Sequence, residues 1–200
     1  MKRLFDIVAS GCGLIVLSPL FLILAIWIKL DSKGPVFYRQ VRVGRGNKDF
    51  RIFKFRSMRI GADKGSLVTI GGRDPRVTRS GYYIRKYKFD ELPQLINVLK
   101  GDMALIGPRP LLVQYLPLYS KEQARRHEVR PGISGWAQCH GRNAISWTEK
   151  FKLDVWYVDN CSLITDLKVI FITIKKVLGR EDINTTTGKS ATMEYFNGHN

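Results

Sequence analysis

The chain opens with an apolar run, residues 7–28, in which no side chain is charged and which Ser18-Pro19 divide near its middle. About 22 residues rising about 1.5 Å each match a hydrocarbon core of about 30 Å, so length alone predicts a membrane helix. Pro19 has no N–H for the Ile15 carbonyl and its ring crowds that turn, while the Ser18 hydroxyl is placed to satisfy a freed backbone group. A sharp kink is expected there, giving a re-entrant helix-break-helix hairpin over residues 1–30. Lys2 and Arg3 precede the run and Lys29 and Lys33 follow it, so basic residues flank both ends without the asymmetry that orients a span. Both ends are therefore expected on the cytoplasmic side, with Trp27 near the interface. A kinked single-span anchor is the competing reading. A cleaved signal peptide fits less well, since the run is long and no small-x-small site precedes Lys29.

Beyond the run the period of the pattern changes. Residues 35–43 and 50–56 are rich in aromatic and β-branched side chains and are separated by Gly44-Arg45-Gly46-Asn47, which predicts a β-hairpin. Alternation puts Ile52, Lys54 and Arg56 on one face of the second strand and Arg51, Phe53 and Phe55 on the other. Gly71-Gly72-Arg73-Asp74-Pro75 reads as loop. Leu92, Leu95, Ile96 and Leu99 recur at helical spacing, with Pro93 in the first turn and Gly101 just past the end. They predict a short amphipathic helix whose N-terminus carries Asp90-Glu91. Pro108-Arg109-Pro110 is a stiff turn, a polar helix is expected over Ser120 to Val129, and Pro131 to Gly135 reads as loop. Further helices are expected from Ser146 to Asp159 and from Ser162 to Leu178. The last sets Leu163, Leu167, Ile170, Phe171, Ile174, Val177 and Leu178 against Lys168, Lys175 and Lys176, a pattern equally suited to a bilayer surface and to a core. The expected architecture is α+β and mostly helical: a membrane hairpin at 1–30, a compact cytosolic domain at 31–181 with a β-hairpin and amphipathic interfacial helices, and a loose polar tail at 182–200.

Composition alters this picture mainly through charge. Lys and Arg number 33 against 17 Asp and Glu, a net charge of +16, which implies anionic partners without choosing among nucleic acid, lipid head groups and phosphorylated substrates. The membrane segment favours lipid, since basic side chains near an anionic leaflet contribute roughly 1 kcal/mol each. Cys12, Cys139 and Cys161 have no CxxC spacing, so reduced thiols are expected. Cys139-His140 is a weak candidate for a metal pair or dyad, because adjacent residues rarely converge on one ion.

The candidate chemistry lies at Asp90-Glu91. Two carboxylates at a helix start are favoured as anions by unpaired N–H groups and the helix dipole. In many proteins such a pair does nothing more than stabilise the first turn, yet it is also a suitable Mg²⁺ site and a source of a nucleophile. Its surroundings favour chemistry: Arg85 lies five residues earlier, Arg109 sits in the Pro-Arg-Pro turn, and Lys54 and Arg56 share a strand face. Carboxylates combined with forked cations suit a diphosphate, because guanidinium groups bind phosphate oxygens in pairs and a divalent ion neutralises charge as a phosphoryl group moves.

Taken in order, Ser18-Pro19, Lys54-Phe55-Arg56-Ser57-Met58, Arg85 before Asp90-Glu91-Leu92-Pro93-Gln94, Pro108-Arg109-Pro110 and Pro131-Gly132-Ile133-Ser134-Gly135-Trp136-Ala137-Gln138 resemble the small monotopic phosphoglycosyl transferases of bacterial glycoconjugate assembly. The resemblance runs from about Lys2 to Ile183. Through Asn143 to Trp147 and Lys152 to Tyr157 it extends to the minimal members that begin protein N-glycosylation with phospho-bacillosamine. Cys139-His140 departs from the Val-Asn expected in many of these. The resemblance implies Mg²⁺-dependent transfer of sugar 1-phosphate from a UDP-sugar to undecaprenyl phosphate with release of UMP, on the cytoplasmic face of the bacterial inner membrane. It implies Asp90 as the nucleophile that carries a covalent phosphosugar, Glu91 as its partner in holding Mg²⁺, Arg85 and Arg109 on phosphate groups, and Lys54 and Arg56 as helpers. Anionic lipids and downstream glycosyltransferases are the further expected partners, and nucleic acid is not. The rivals are direct displacement with Asp90 only a metal ligand, a glycosyltransferase releasing UDP, and a basic membrane-tethered module without catalysis. The last is weakened because the basic residues form no single run and Asp90-Glu91 would repel a polyanion.

Overall fold

The computed structural model describes residues 1–62, 74–141, 145–179 and 195–198. Its first element, α1 (Lys2–Asp31), is one continuous helix, where the sequence predicted a helix-break-helix hairpin. The hydroxyl of Ser18 donates to the Ile15 carbonyl at 2.8 Å, replacing the bond that Pro19 cannot make, so the helical ladder passes through the proline.

The positions of α1 that face the rest of the protein recur at helical steps: Arg3, Asp6, Ser10, Gly13, Leu20, Leu24, Ile28 and Asp31. The opposite face exposes Leu4, Ile7, Val8, Ile15, Val16, Leu22, Ile23, Ile26, Trp27 and Leu30. Both ends are fastened to the same body. At the N-terminal end Lys2 donates to the Ile106 carbonyl, to the Tyr157 hydroxyl and to Asp166, while Arg3 donates to the Val98 and Leu99 carbonyls. At the C-terminal end the Asp31 carboxylate accepts from the Ser80 N–H and hydroxyl at 2.9 and 2.7 Å.

The expected hairpin is present as β1 (Phe37–Val43) and β2 (Asp49–Phe55), antiparallel, with Tyr38 opposite Lys54 and Phe37 opposite Phe55. The predicted alternation holds. Ile52 packs with Val98 and Met103 on one side, and Phe55 with Leu24, Ile28 and Ile84 on the other. Two helices follow, α2 (Arg79–Lys86) and α3 (Gln94–Lys100), the latter ended by Gly101 at φ +96°, a left-handed C-cap that glycine adopts without strain. Buried Asn97 in α3 accepts from the Phe53 N–H and donates to the Arg51 carbonyl, both at 2.8 Å, and so sews the helix to the open edge of β2.

The stretch read as a loop at 131–135 contains a strand instead. β3 (Ala104–Ile106) and β4 (Gly132–Ser134) pair in parallel, Ala104 with Gly132 and Ile106 with Ser134. Three residues are too few to display an alternation. What permits the pairing is the absence of side chains, since a Cβ on Gly107 would lie 2.3 Å from the Arg130 carbonyl oxygen and one on Gly132 2.1 Å from the Gly107 nitrogen. The polar helix expected at 120–129 is a short α4 (Lys121–Ala124) with a Ser120–Gln123 capping box, continued by a 3₁₀ turn, Arg125–His127. After α5 (Trp136–Cys139), the helices expected near the end are α6 (Trp147–Asp159) and α7 (Leu163–Leu178). α7 packs on the domain through Val169, which is fully buried, and exposes Ile164, Leu167, Phe171 and Ile174 on its other side.

Of the expected polar tail, residues 195–198 are described, and they pack against the domain. Residues 180–194 lie outside the described part, but Phe196 is only 3 % exposed and packs among Tyr115, Tyr119, Trp147 and Phe151. A single aromatic side chain carries enough apolar area to dock a polar segment. The described residues are α+β and mostly helical, with two small two-stranded sheets among them.

Candidate active site

Asp90 and Glu91 occupy a 3₁₀ turn, Phe89–Glu91, ahead of α3 instead of its first α-helical turn. Lys88 enters the turn in a left-handed conformation at φ +60°. Bonds from Leu92 N to Phe89 O and from Ile96 N to Pro93 O keep the i to i+3 pattern around Pro93, which cannot donate. The anionic pair is therefore held by neighbouring cations more than by a helix dipole.

Glu91 is the more heavily engaged of the two carboxylates. One of its oxygens accepts from Lys54 Nζ at 2.9 Å and from Arg109 Nη2 at 2.5 Å, and the other from Arg109 Nη1 at 3.3 Å. Burial alone would raise its pKa, but Arg109 and Lys54 overcome this and hold it well below the usual carboxylate range. Asp90 lies in the opposite condition. Burial raises its pKa and the neighbouring Glu91 charge adds to that, with Lys54 and Arg85 opposing. The site thus sets a firmly ionised, doubly clamped Glu91 beside a less stabilised and more basic Asp90.

Asp90 faces a cavity of about 670 Å³. Its walls carry Arg39, Arg42, Lys54, Arg59, Arg76 and Arg85, and Asp90 is the carboxylate among its described lining residues. Such an excess of cations favours an anionic occupant. The cavity also has an apolar side. Val36, Phe37 and Phe55 line it and pack on Leu20, Phe21, Leu24 and Ile28 of α1, so the cavity begins where the long apolar helix touches the domain.

Arg109 is positioned from behind. Gly107 N donates to the Ser134 carbonyl at 2.9 Å and Gly132 N to the Pro108 carbonyl at 3.0 Å, anchoring the Pro-Arg-Pro turn to the glycine crossing of β3 and β4. Arg126 donates to the Arg109 carbonyl at 2.8 Å and to Asp154 at 2.8 and 3.1 Å, in an ion pair whose side chains are 1 % and 4 % exposed. A buried pair of this kind gives a fixed geometry at considerable desolvation cost.

Of the residues singled out in the sequence, the fold brings Lys54, Glu91 and Arg109 into direct contact and sets Asp90 and Arg85 in the same cavity. Arg56 reaches the cavity wall, but its guanidinium donates to the Ile28, Ser32 and Lys33 carbonyls and to the Ser32 hydroxyl. It caps the C-terminal end of α1, where a cation suits exposed carbonyls. Ser18 and Pro19 lie apart from the site on the exposed face of α1. Cys139 and His140 turn to different surroundings: Cys139 is buried against Thr173, and His140 stacks at 4.1 Å on Trp136, itself stacked on Trp156. Arg42, Arg126 and Asp154 escaped the sequence reading. Arg42 follows Gln40 at strand spacing and was visible only as one more arginine, while Arg126 and Asp154 come together across 28 residues.

A basic cavity beside a half-buried Asp-Glu pair, walled on one side by an apolar helix, suits an anionic ligand met at an apolar surface. Residues 1–180 match the model of the bacterial sugar transferase family, and the chain belongs to that family of phosphoglycosyl transferases. It is 52 % identical over 199 residues to the uncharacterized sugar transferase EpsL of Bacillus subtilis (strain 168), spanning 99 % of this chain and 96 % of that one. It is 47 % identical to the UDP-N-acetylgalactosamine-undecaprenyl-phosphate N-acetylgalactosaminephosphotransferase of Aeromonas hydrophila, covering 89 % of this chain and 44 % of the relative. With the UDP-glucose:undecaprenyl-phosphate glucose-1-phosphate transferase of Escherichia coli (strain K12) it shares 39 % identity, over 88 % of this chain and 40 % of the relative. The chain thus spans nearly all of EpsL and less than half the length of the two relatives named for their reaction.

Proposed function

We propose that this protein transfers sugar 1-phosphate from a UDP-sugar to undecaprenyl phosphate, releasing UMP and forming the undecaprenyl-diphospho-sugar that starts a glycoconjugate. The observation that carries this is the pairing of a clamped Glu91 with a more basic Asp90 at a cavity that is cationic on one side and continuous with the apolar α1 on another.

In the first step an Asp90 oxygen attacks the sugar-bearing phosphorus. The bond from that phosphorus to the bridging oxygen breaks, UMP departs with the bond's electron pair, and the phosphosugar is left on Asp90 as an acyl phosphate. In the second, an oxygen of the lipid phosphate attacks the same phosphorus and the Asp90 carboxylate is released. The acceptor is already an anion, so no strong general base is needed, and the main obstacle is repulsion between anions. Lys54 and Arg85 offset it at Asp90, and Arg109 does so beside Glu91.

The donor set also fits Mg²⁺, which takes oxygen from one or two carboxylates together with substrate phosphates and retains several waters. Asp90 would be the principal ligand, with Glu91 joining as its cation partners turn to phosphate. Bound there, Mg²⁺ would neutralise charge on the departing diphosphate. We also infer that the protein is monotopic on the cytoplasmic face. The fastening of both α1 ends to one body supports this, since a helix crossing to the far leaflet would part them.

The test is to incubate detergent-purified protein with Mg²⁺, undecaprenyl phosphate and a panel of UDP-sugars that includes the diacetylated bacillosamine donor, and to identify the released nucleotide, with Asp90→Asn in parallel. UMP from the wild type alone is the expected result. UDP, or UMP undiminished in the variant, would overturn the reading. Incubation with donor alone, followed by mass spectrometry of the intact protein, should reveal a phosphosugar adduct on Asp90.

A further inference from the structure

We propose that Arg42 is a phosphate-binding residue of this site, paired with Arg109, and that it holds the phosphate which departs with the nucleotide, not the one attacked by Asp90. The proposal rests on the reaction inferred above.

Arg42 lies near the end of β1 and lines the cavity. Its guanidinium is held without a carboxylate contact. One nitrogen donates to the Gln40 side-chain oxygen at 2.5 Å and another reaches the Pro110 carbonyl at 3.5 Å. Its Nε is buried and has no hydrogen-bond partner among the described residues. An unpaired buried donor on a half-buried cation is costly, and it is found where a ligand completes the set.

The neighbours sharpen the argument. Arg42 is tied to the very turn that presents Arg109, through the Pro110 carbonyl and through Val43 N, which donates to the Leu111 carbonyl at 3.2 Å. Burial and repulsion from the Arg109 charge lower the Arg42 pKa to about 10. Arg109 spends its own fork on Glu91, which Lys54 also neutralises. Around this one carboxylate there are consequently three cations, and a bound dianion would balance them.

Position distinguishes which phosphate. Lys54 and Arg85 line the cavity with Asp90 and are the cations that act most directly on it, whereas Arg42 is bonded to the Pro110 carbonyl, next to Arg109 in the Pro-Arg-Pro turn. The phosphorus attacked by Asp90 therefore falls to Lys54 and Arg85. The second phosphate of the donor, one bridging oxygen further on, falls to Arg42 and Arg109. A guanidinium suits this role because its charge persists at neutral pH and its fork meets two oxygens at once.

The experiment compares wild type, Arg42→Met and Arg42→Lys in detergent, measuring UMP binding by titration calorimetry and KM for donor and acceptor separately. Loss of charge-assisted bonds to phosphate should weaken UMP binding and raise the donor KM about 10- to 100-fold in Arg42→Met, with the acceptor KM unchanged. Arg42→Lys, which keeps the charge and loses the fork, should lie between. Should Arg42→Met fail to fold, as judged by its thermal transition, Arg42→Lys alone decides the matter through the same split. Unaltered UMP affinity, or an acceptor KM that rises as far as the donor KM, would overturn the assignment. If the wild type binds UMP yet transfers no sugar phosphate, the reaction reading fails by itself, and the binding comparison still decides the role of Arg42.

Discussion

Asp90 and Glu91 are chemically alike and adjacent, and the fold drives their proton affinities apart, as expected where two carboxyl groups have different tasks. Because the folded-state pKa of Asp90 is raised from 3.8, its ionised form costs the fold stability at neutral pH, and that cost disappears only below 3.8. Asp90→Asn is therefore expected to abolish adduct formation while leaving the thermal midpoint equal or higher, as differential scanning fluorimetry will register. Without Mg²⁺, Asp90 should take up its proton at a pH above 3.8, as NMR titration of its carboxyl carbon will register. Glu91 behaves oppositely. Its folded pKa lies well below 4.5, so its stabilisation is complete above about pH 4.5 and is lost as pH falls through the folded value. Glu91→Gln, which leaves Lys54 and Arg109 without their shared anion, should be less stable than wild type in urea unfolding at pH 7, and the difference should shrink at pH 3.

At the scale of elements, the site depends on segments that carry no chemistry. Arg56 holds the end of α1, Asn97 holds α3 to β2, and the glycine crossing of β3 and β4 holds the Pro-Arg-Pro turn. The segment at 195–198 belongs with these. Phe196 rests on Tyr115 and Tyr119, which follow that turn in the chain, and Tyr119 also meets Arg126, the donor to the Arg109 carbonyl. Truncating a buried phenylalanine to alanine costs about 3–5 kcal/mol. Phe196→Ala, and a chain ended after Glu194, should both lose stability of that order in denaturant titration and release UMP more slowly than wild type. Full activity in the truncated chain would mean that the segment only covers the aromatic cluster.

For the whole molecule the decisive feature is how α1 lies. One face follows the domain from Arg3 to Asp31 and the other is a continuous apolar surface, and α7 adds a second exposed apolar face through Ile164, Leu167 and Phe171. If α1 rests in one leaflet with its ends on a common side, cysteines placed at Met1 and Lys33, in a chain with Cys12 and Cys161 replaced by serine, should react equally with a membrane-impermeant maleimide in inverted vesicles and be protected in intact spheroplasts. Labelling of one position from each side would establish a span instead.

The sequence by itself determined the elements whose signal is local. The apolar run, the β-hairpin, the long helices α6 and α7, and the acidic pair with its candidate cations are all legible because a periodicity, a turn residue or a rigid dipeptide lies within a few positions of its neighbour. Tertiary structure decided the rest. A proline that predicts a break is carried inside a continuous helix by one serine hydroxyl. Three-residue strands form because glycines let two backbones meet. Arg56 is drawn to α1, while Arg42 is set beside Arg109. These outcomes follow from which distant groups share a low-dielectric space and compete for the same hydrogen bonds, a contest that spacing along the chain does not record.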